Sequence, residues 1–200
     1  MADWETDSPE LQNNLRRVIS DIREDAARRG RPTVEAARRW HATMMDGLDC
    51  PDPRAVGRFR GEAGLEGLEV RVGQFVGTQS DQVADELNAF ERHLREVVRL
   101  LDDLIAPGKD LNADDLRAVI DLCAWTHAEW VRIHPFRNGN GRTARMWANL
   151  IALRYGLPPF VRARPRPGGD YGIAAAEAMT GNWRPTAAVF RRMYSNFVRK

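Results

Sequence analysis

A chain of 200 residues, 43% of them hydrophobic, can bury one domain-sized core. A formal net charge of +2 is too small to argue for nucleic acid, and no apolar run is long enough to span a bilayer, so neither partner is expected. Cys50 and Cys123 stand too far apart in sequence to read as a disulfide framework, and the acidic start Met1–Asp7 lacks the apolar stretch of a secretory signal, so the expected location is cytoplasmic. The basic charge is nearly all arginine, with Lys109 and Lys200 as the two lysines, a bias that phosphate binding or a G+C-rich genome would equally produce.

In chain order, Leu11, Leu15, Val18, Ile19 and Ile22 recur at helical spacing over residues 11–29, and Gly30 and Pro32 close that helix. Thr33 can cap a second helix running to about Gly47, with Trp40, Met44 and Leu48 on one face. Residues 49–54 are turn material. Residues 57–78 are glycine-rich and alternate in Leu68-Glu-Val-Arg-Val72 and Gln74-Phe-Val76, which predicts a β-hairpin. Helical periodicity returns from Ser80 through Leu104, and Asn112 can cap a helix over about 113–132 with two acids in its first turn. A loop follows at His134–Gly141, then helices over about 142–155, 171–179 and 185–198. The expected class is all-α with one small hairpin, divided into an N-terminal helix or extension over 1–32 and a main domain over 33–200.

The loop holds the chemistry. Gly139, Asn140 and Gly141 stand where a loop turns into a helix, and glycine allows backbone to approach a ligand closely. Unpaired N–H groups at a helix N-terminus, helped by its dipole, attract anions. Arg142 and Arg145 are three apart, on one face of the first turns, which suits a di- or triphosphate better than one carboxylate. His134, at the other end of the loop, is a natural general base beside a phosphate. His41, His93 and His127 show no metal-ligand spacing, His127 reads as packing, and the tryptophans read as core.

The string His134-Pro135-Phe136-Arg137-Asn138-Gly139-Asn140-Gly141-Arg142-Thr143-Ala144-Arg145 resembles the signature HPFx[D/E]GNGRxxR of Fic-domain proteins. The resemblance implies a helical domain in which the motif joins two central helices and a hairpin flap, here about 57–78, precedes them. It implies transfer of AMP from ATP to a Ser, Thr or Tyr hydroxyl of a target protein, with pyrophosphate leaving. His134 would be the base. Gly139, Asn140 and Gly141 would cradle the phosphates by backbone and amide donors, with Arg142 and Arg145 on the β and γ phosphates. Phe136 would anchor the loop in the core. Leu68, Val70 and Val72 of the flap would hold the target segment by strand addition. The lysine that marks the kinase-like Doc branch is absent, since Gly141 is intact.

One motif position departs. The family's Asp or Glu, which holds Mg²⁺ between two phosphates, is Asn138 here, a neutral and poorer ligand. Three readings follow: Asn138 still ligates Mg²⁺ or Mn²⁺ more weakly; the donor is a nucleotide other than ATP; or the chain binds nucleotide without transferring it. Arg137 adds a charge that could contact the nucleotide or simply be solvated. The family's restraining motif [S/T]xxxE[G/N] is not found, because Glu66-Gly67 is preceded at the fourth position by Glu62. Restraint by a separate antitoxin-like protein is one expectation. Base contacts are expected around residues 162–171.

Overall fold

The computed structural model describes residues 8–199. The acidic run 1–7, on which the reading of the N-terminus rests, and Lys200 lie outside the described residues. The helices are α1 (Pro9–Ala27), α2 (Val34–Met45), α3 (Val83–Leu104), α4 (Ala113–Ile133), α5 (Asn140–Arg154), α6 (Tyr171–Ala178) and α7 (Arg184–Val198), with a two-stranded sheet of β1 (Arg71–Val72) and β2 (Phe75–Val76). The all-α class with a small hairpin is therefore what forms.

Local chemistry sets the starts. Thr33 Oγ1 accepts from Ala36 N at 3.3 Å, and Asn112 Oδ1 accepts from Asp114 N and Asp115 N at 2.9 Å each. The Asp115 carboxylate returns a bond to Asn112 N, completing a capping box. Both predicted caps are in place.

The core wraps α5, which is buried on almost every side from Asn140 to Ala152. Its Trp147 meets Trp40 of α2, Phe90 of α3 and Trp130 of α4 with ring centroids 5.0, 5.4 and 5.6 Å apart. These aromatic contacts fix α4 against α5, and the loop between them inherits that rigidity. At the far end of α5, Arg154 donates to the carbonyls of Arg29 and Gly30 and pairs with Asp102 of α3 at 2.5 Å. That guanidinium ties the end of α1 to α3. Leu11, Leu15, Val18 and Ile22 of α1 lie in the same apolar cluster as α4 and α5.

Two expectations are corrected. The hairpin is shorter than 57–78: its pairs are Arg71 with Val76 and Val72 with Phe75, extended by Gly77 N donating to Val70 O. The stretch before it cannot join a ladder because its main chain bonds elsewhere, Arg60 N to Pro135 O and Gly61 N to Leu65 O. Helix α5 starts at Asn140 rather than Arg142, since Gly139 in the left-handed region (φ 71°) already turns the chain into it.

Candidate active site

His134 follows the last residue of α4 in the left-handed region, at φ 53° and ψ 54°. The turn lets its N–H donate to Trp130 O and its Nδ1 donate to Val131 O, both at 3.0 Å. With Nδ1 so engaged, Nε2 is the nitrogen available to the adjoining cleft. Burial pushes the imidazole below its ordinary value of 6.5, and the Arg60 charge acts in the same direction.

Phe136 is fully buried, as expected, between His41, stacked at 4.0 Å, and Phe59 at 4.9 Å. Asn140 also closes the loop. Its amide nitrogen donates to Phe136 O at 2.7 Å and its amide oxygen accepts from Phe136 N at 2.8 Å. These bonds take the amide oxygen and one amide hydrogen, and the backbone N–H of Asn140 stands at the start of the helix. Together with the N–H of Gly141, in the first turn of α5, it makes the anion-directed end of the helix. Gly139 is required twice over: its φ is positive, and an added Cβ would fall 2.9 Å from Met45 Cε and 3.3 Å from the His41 ring.

A cleft of about 560 Å³ opens beside the loop. His134, Arg137, Asn138, Gly139, Asn140, Gly141, Arg142 and Arg145 line it together with Val70, Arg71 and Val72 of the hairpin, and with Arg164, Arg166 and Tyr171. Every motif residue nominated from sequence thus borders one cavity. Of the nominated flap residues, Val70 and Val72 do so, whereas Leu68 turns its carbonyl to Arg60 Nη1 at 3.0 Å. Arg142 and Arg145 are both buried. Arg145 donates through Nε and Nη2 to Ala163 O at 3.1 and 3.0 Å and through Nη1 to the Tyr171 hydroxyl at 3.1 Å. The same hydroxyl lies 2.7 Å from His127 Nε2. His127 is therefore packing, as expected, but it packs behind a cleft arginine. Arg137 pairs with Asp52 at 2.7 Å rather than standing in solvent alone.

Two residues with no signal in the motif hold the site. Arg60, 2% exposed, donates to Ile133 O and His134 O on the loop side and to Leu68 O and Thr78 O on the hairpin side. Its burial pushes the guanidinium down to about 10, still charged at neutral pH. His41 of α2 lies 3.2 Å from Asn138 O through Nε2 and accepts from Gly57 N at Nδ1, 2.9 Å away. That bond pattern makes His41 the Nε2–H tautomer, donating to Asn138 O. Burial pushes its pKa down to about 4. The hairpin lies so close to His134 that an added Cβ on Gly77 would fall 2.9 Å from His134 Cβ. Gly77→Ala is expected to destabilise the fold by about 1–3 kcal/mol through overpacking, read as a lower unfolding midpoint in urea.

The resemblance implies a magnesium ion at position 138. The donor set does not fit it. Asn138 offers a neutral oxygen, and among the described residues no carboxylate lines the cleft and no three His, Cys, Asp or Glu side chains gather to hold a metal. Asp52, which reaches the loop, gives both carboxylate oxygens to Arg54 and Arg137.

Two central helices joined by a histidine-to-arginine loop, with a hairpin against the histidine, define a helical domain with an arginine-lined cleft. A sequence model described as the Fic/DOC family matches residues 31–152, more than half of the chain, and the chain belongs to that family. The chain is 34% identical over 110 residues to a protein adenylyltransferase fic-1 of Caenorhabditis elegans, covering 55% of this chain and 18% of that one. It is 42% identical over 66 residues to a protein adenylyltransferase Fic of Nematostella vectensis, covering 33% and 15%. The chain thus spans less than a fifth of the length of these relatives. In structure it is similar to a Fic-domain signaling protein of Bacteroides thetaiotaomicron (TM-score 0.63, 18% identity, 95% of this chain and 69% of that one). It is also similar to BepC of Bartonella tribocorum, solved with bound AMPPNP (TM-score 0.62, 18% identity, 96% and 90%). At that identity the two structures establish the fold.

Proposed function

We propose that this protein transfers AMP from ATP to a Ser, Thr or Tyr hydroxyl of a protein target. The observation that carries the proposal is His134: its Nδ1 is pinned to Val131 O, so a neutral Nε2 is presented to an arginine-lined cleft. The relatives' names as protein adenylyltransferases support the same reaction. The target oxygen attacks the α-phosphorus in line, and its proton passes to His134 Nε2. The bond between the α-phosphorus and the bridging oxygen breaks, and pyrophosphate leaves with that electron pair. The N–H groups of Asn140 and Gly141 and the guanidiniums of Arg142 and Arg145 stabilise the charge that develops on the phosphates.

The target segment docks along the hairpin by adding a strand beside β1, where exposed Val72 and neighbouring Val70 meet the cleft. A small antitoxin-like protein is the proposed restraint. The free, buried state of Cys50 and Cys123 supports a reducing cytoplasmic setting. No helix among the described residues is long and apolar enough to cross a membrane.

The test is incubation with ATP labelled at the α-phosphorus and a cell lysate, with His134→Ala in parallel. Histidine-dependent label on protein supports the proposal. Nucleotide binding without label would make the chain a binding module instead, and label only from another nucleotide would change the donor. The pH profile adds a second check. Because burial holds His134 below 6.5, the base is neutral at pH 7, and the rate is expected to stay level there and to fall as pH drops through the lowered pKa. An acidic limb centred above 6.5 would contradict His134 as the base.

A further inference from the structure

Six arginines line the cleft, of which Arg137 is paired with Asp52. Arg71 comes from β1, Arg137, Arg142 and Arg145 from the loop and α5, and Arg164 and Arg166 from the connection between α5 and α6. Among the described residues, no Asp or Glu lines the cavity. Arg145 spends its guanidinium on neutral oxygens, and Arg166 lies over the Tyr171 ring at 5.6 Å. At the one position where the family's carboxylate would face the phosphates stands Asn138.

A hard dication entering this cleft meets repulsion from the guanidiniums and finds, among the described residues that line it, no carboxylate to replace its water. A bare polyphosphate meets forked donors that match its oxygens in pairs. It also carries more negative charge than its magnesium complex, so each arginine attracts it more strongly. We propose that the cleft takes the nucleoside triphosphate as the free anion rather than as the magnesium complex, with arginine supplying the neutralisation. This rests on the nucleotide reading above and deepens it by naming the form of the substrate.

The test is titration calorimetry of the intact chain with ATP, once in EDTA and once in millimolar Mg²⁺, repeated with Asn138→Asp. The wild-type chain is expected to bind ATP in EDTA at least as tightly as in Mg²⁺. Asn138→Asp is expected to reverse the order, Mg²⁺ tightening ATP by roughly tenfold, the lower end of what supporting ligands contribute at metal sites. Wild-type binding that Mg²⁺ tightens by about tenfold or more would overturn this inference and leave the nucleotide reading standing. No binding of ATP in either buffer would overturn both.

Discussion

Replacing His134 by alanine is expected to lower the rate of AMP transfer by about 10²–10⁴-fold while leaving ATP affinity within about twofold. The argument is geometric. His134 borders the cleft with Nδ1 bonded to Val131 O, and the backbone and arginine donors proposed to hold phosphate belong to other residues. Removing the imidazole therefore removes the proton acceptor and little ground-state binding. Alanine is mildly strained at φ 53°, so His134→Asn, which tolerates the left-handed region, serves as the second variant. Both are expected to fold and bind nucleotide. Transfer by either at more than about a tenth of the wild-type rate would remove His134 from the role of base.

The largest stability effect is expected at Arg60. Arg60→Ala strips the donors from four main-chain carbonyls around a fully enclosed side chain and leaves a cavity where the guanidinium lay. Water can reach some of those carbonyls once the side chain is gone, which reduces the loss to about 3–5 kcal/mol. In a domain of this size that lowers the melting temperature by roughly 10 °C. Arg60→Lys keeps the charge but cannot fork to both sides, so an intermediate loss is expected. Circular-dichroism melting of the two variants against Arg99→Ala, whose own ion pair is exposed, checks the claim. Equal midpoints for Arg60→Ala and Arg99→Ala would show that the staple contributes nothing.

What could be read from sequence was local. Thr33 and Asn112 announce helix starts because a capping side chain bonds within three residues of itself. The run from His134 to Arg145 is legible because one loop and one helical turn hold base, backbone donors and arginines together. Arg60 and His41 were not legible as site residues. Arg60 reaches a partner 74 positions away and His41 one 97 positions away, and no spacing rule connects them to the loop. The ring that Asn140 closes with Phe136 was not legible either, because an amide can face a ligand or its own backbone and sequence does not choose between them. The hairpin was overextended for a related reason. Alternation signals strands, but it does not show that the preceding amides have partners across the chain, as Arg60 N has in Pro135 O.

The paired bonds between the Asn140 amide and the Phe136 peptide have a thermodynamic meaning. They fix five successive residues as a ring before any ligand arrives, so the entropy of ordering that segment is lost on folding and not on association. An anion reaching the loop meets dipoles already aimed and freezes little chain. Position 140 therefore links two quantities usually treated apart. A substitution that loosens the ring lowers the stability of the domain and, by the same freedom, charges each binding event with reassembling the site.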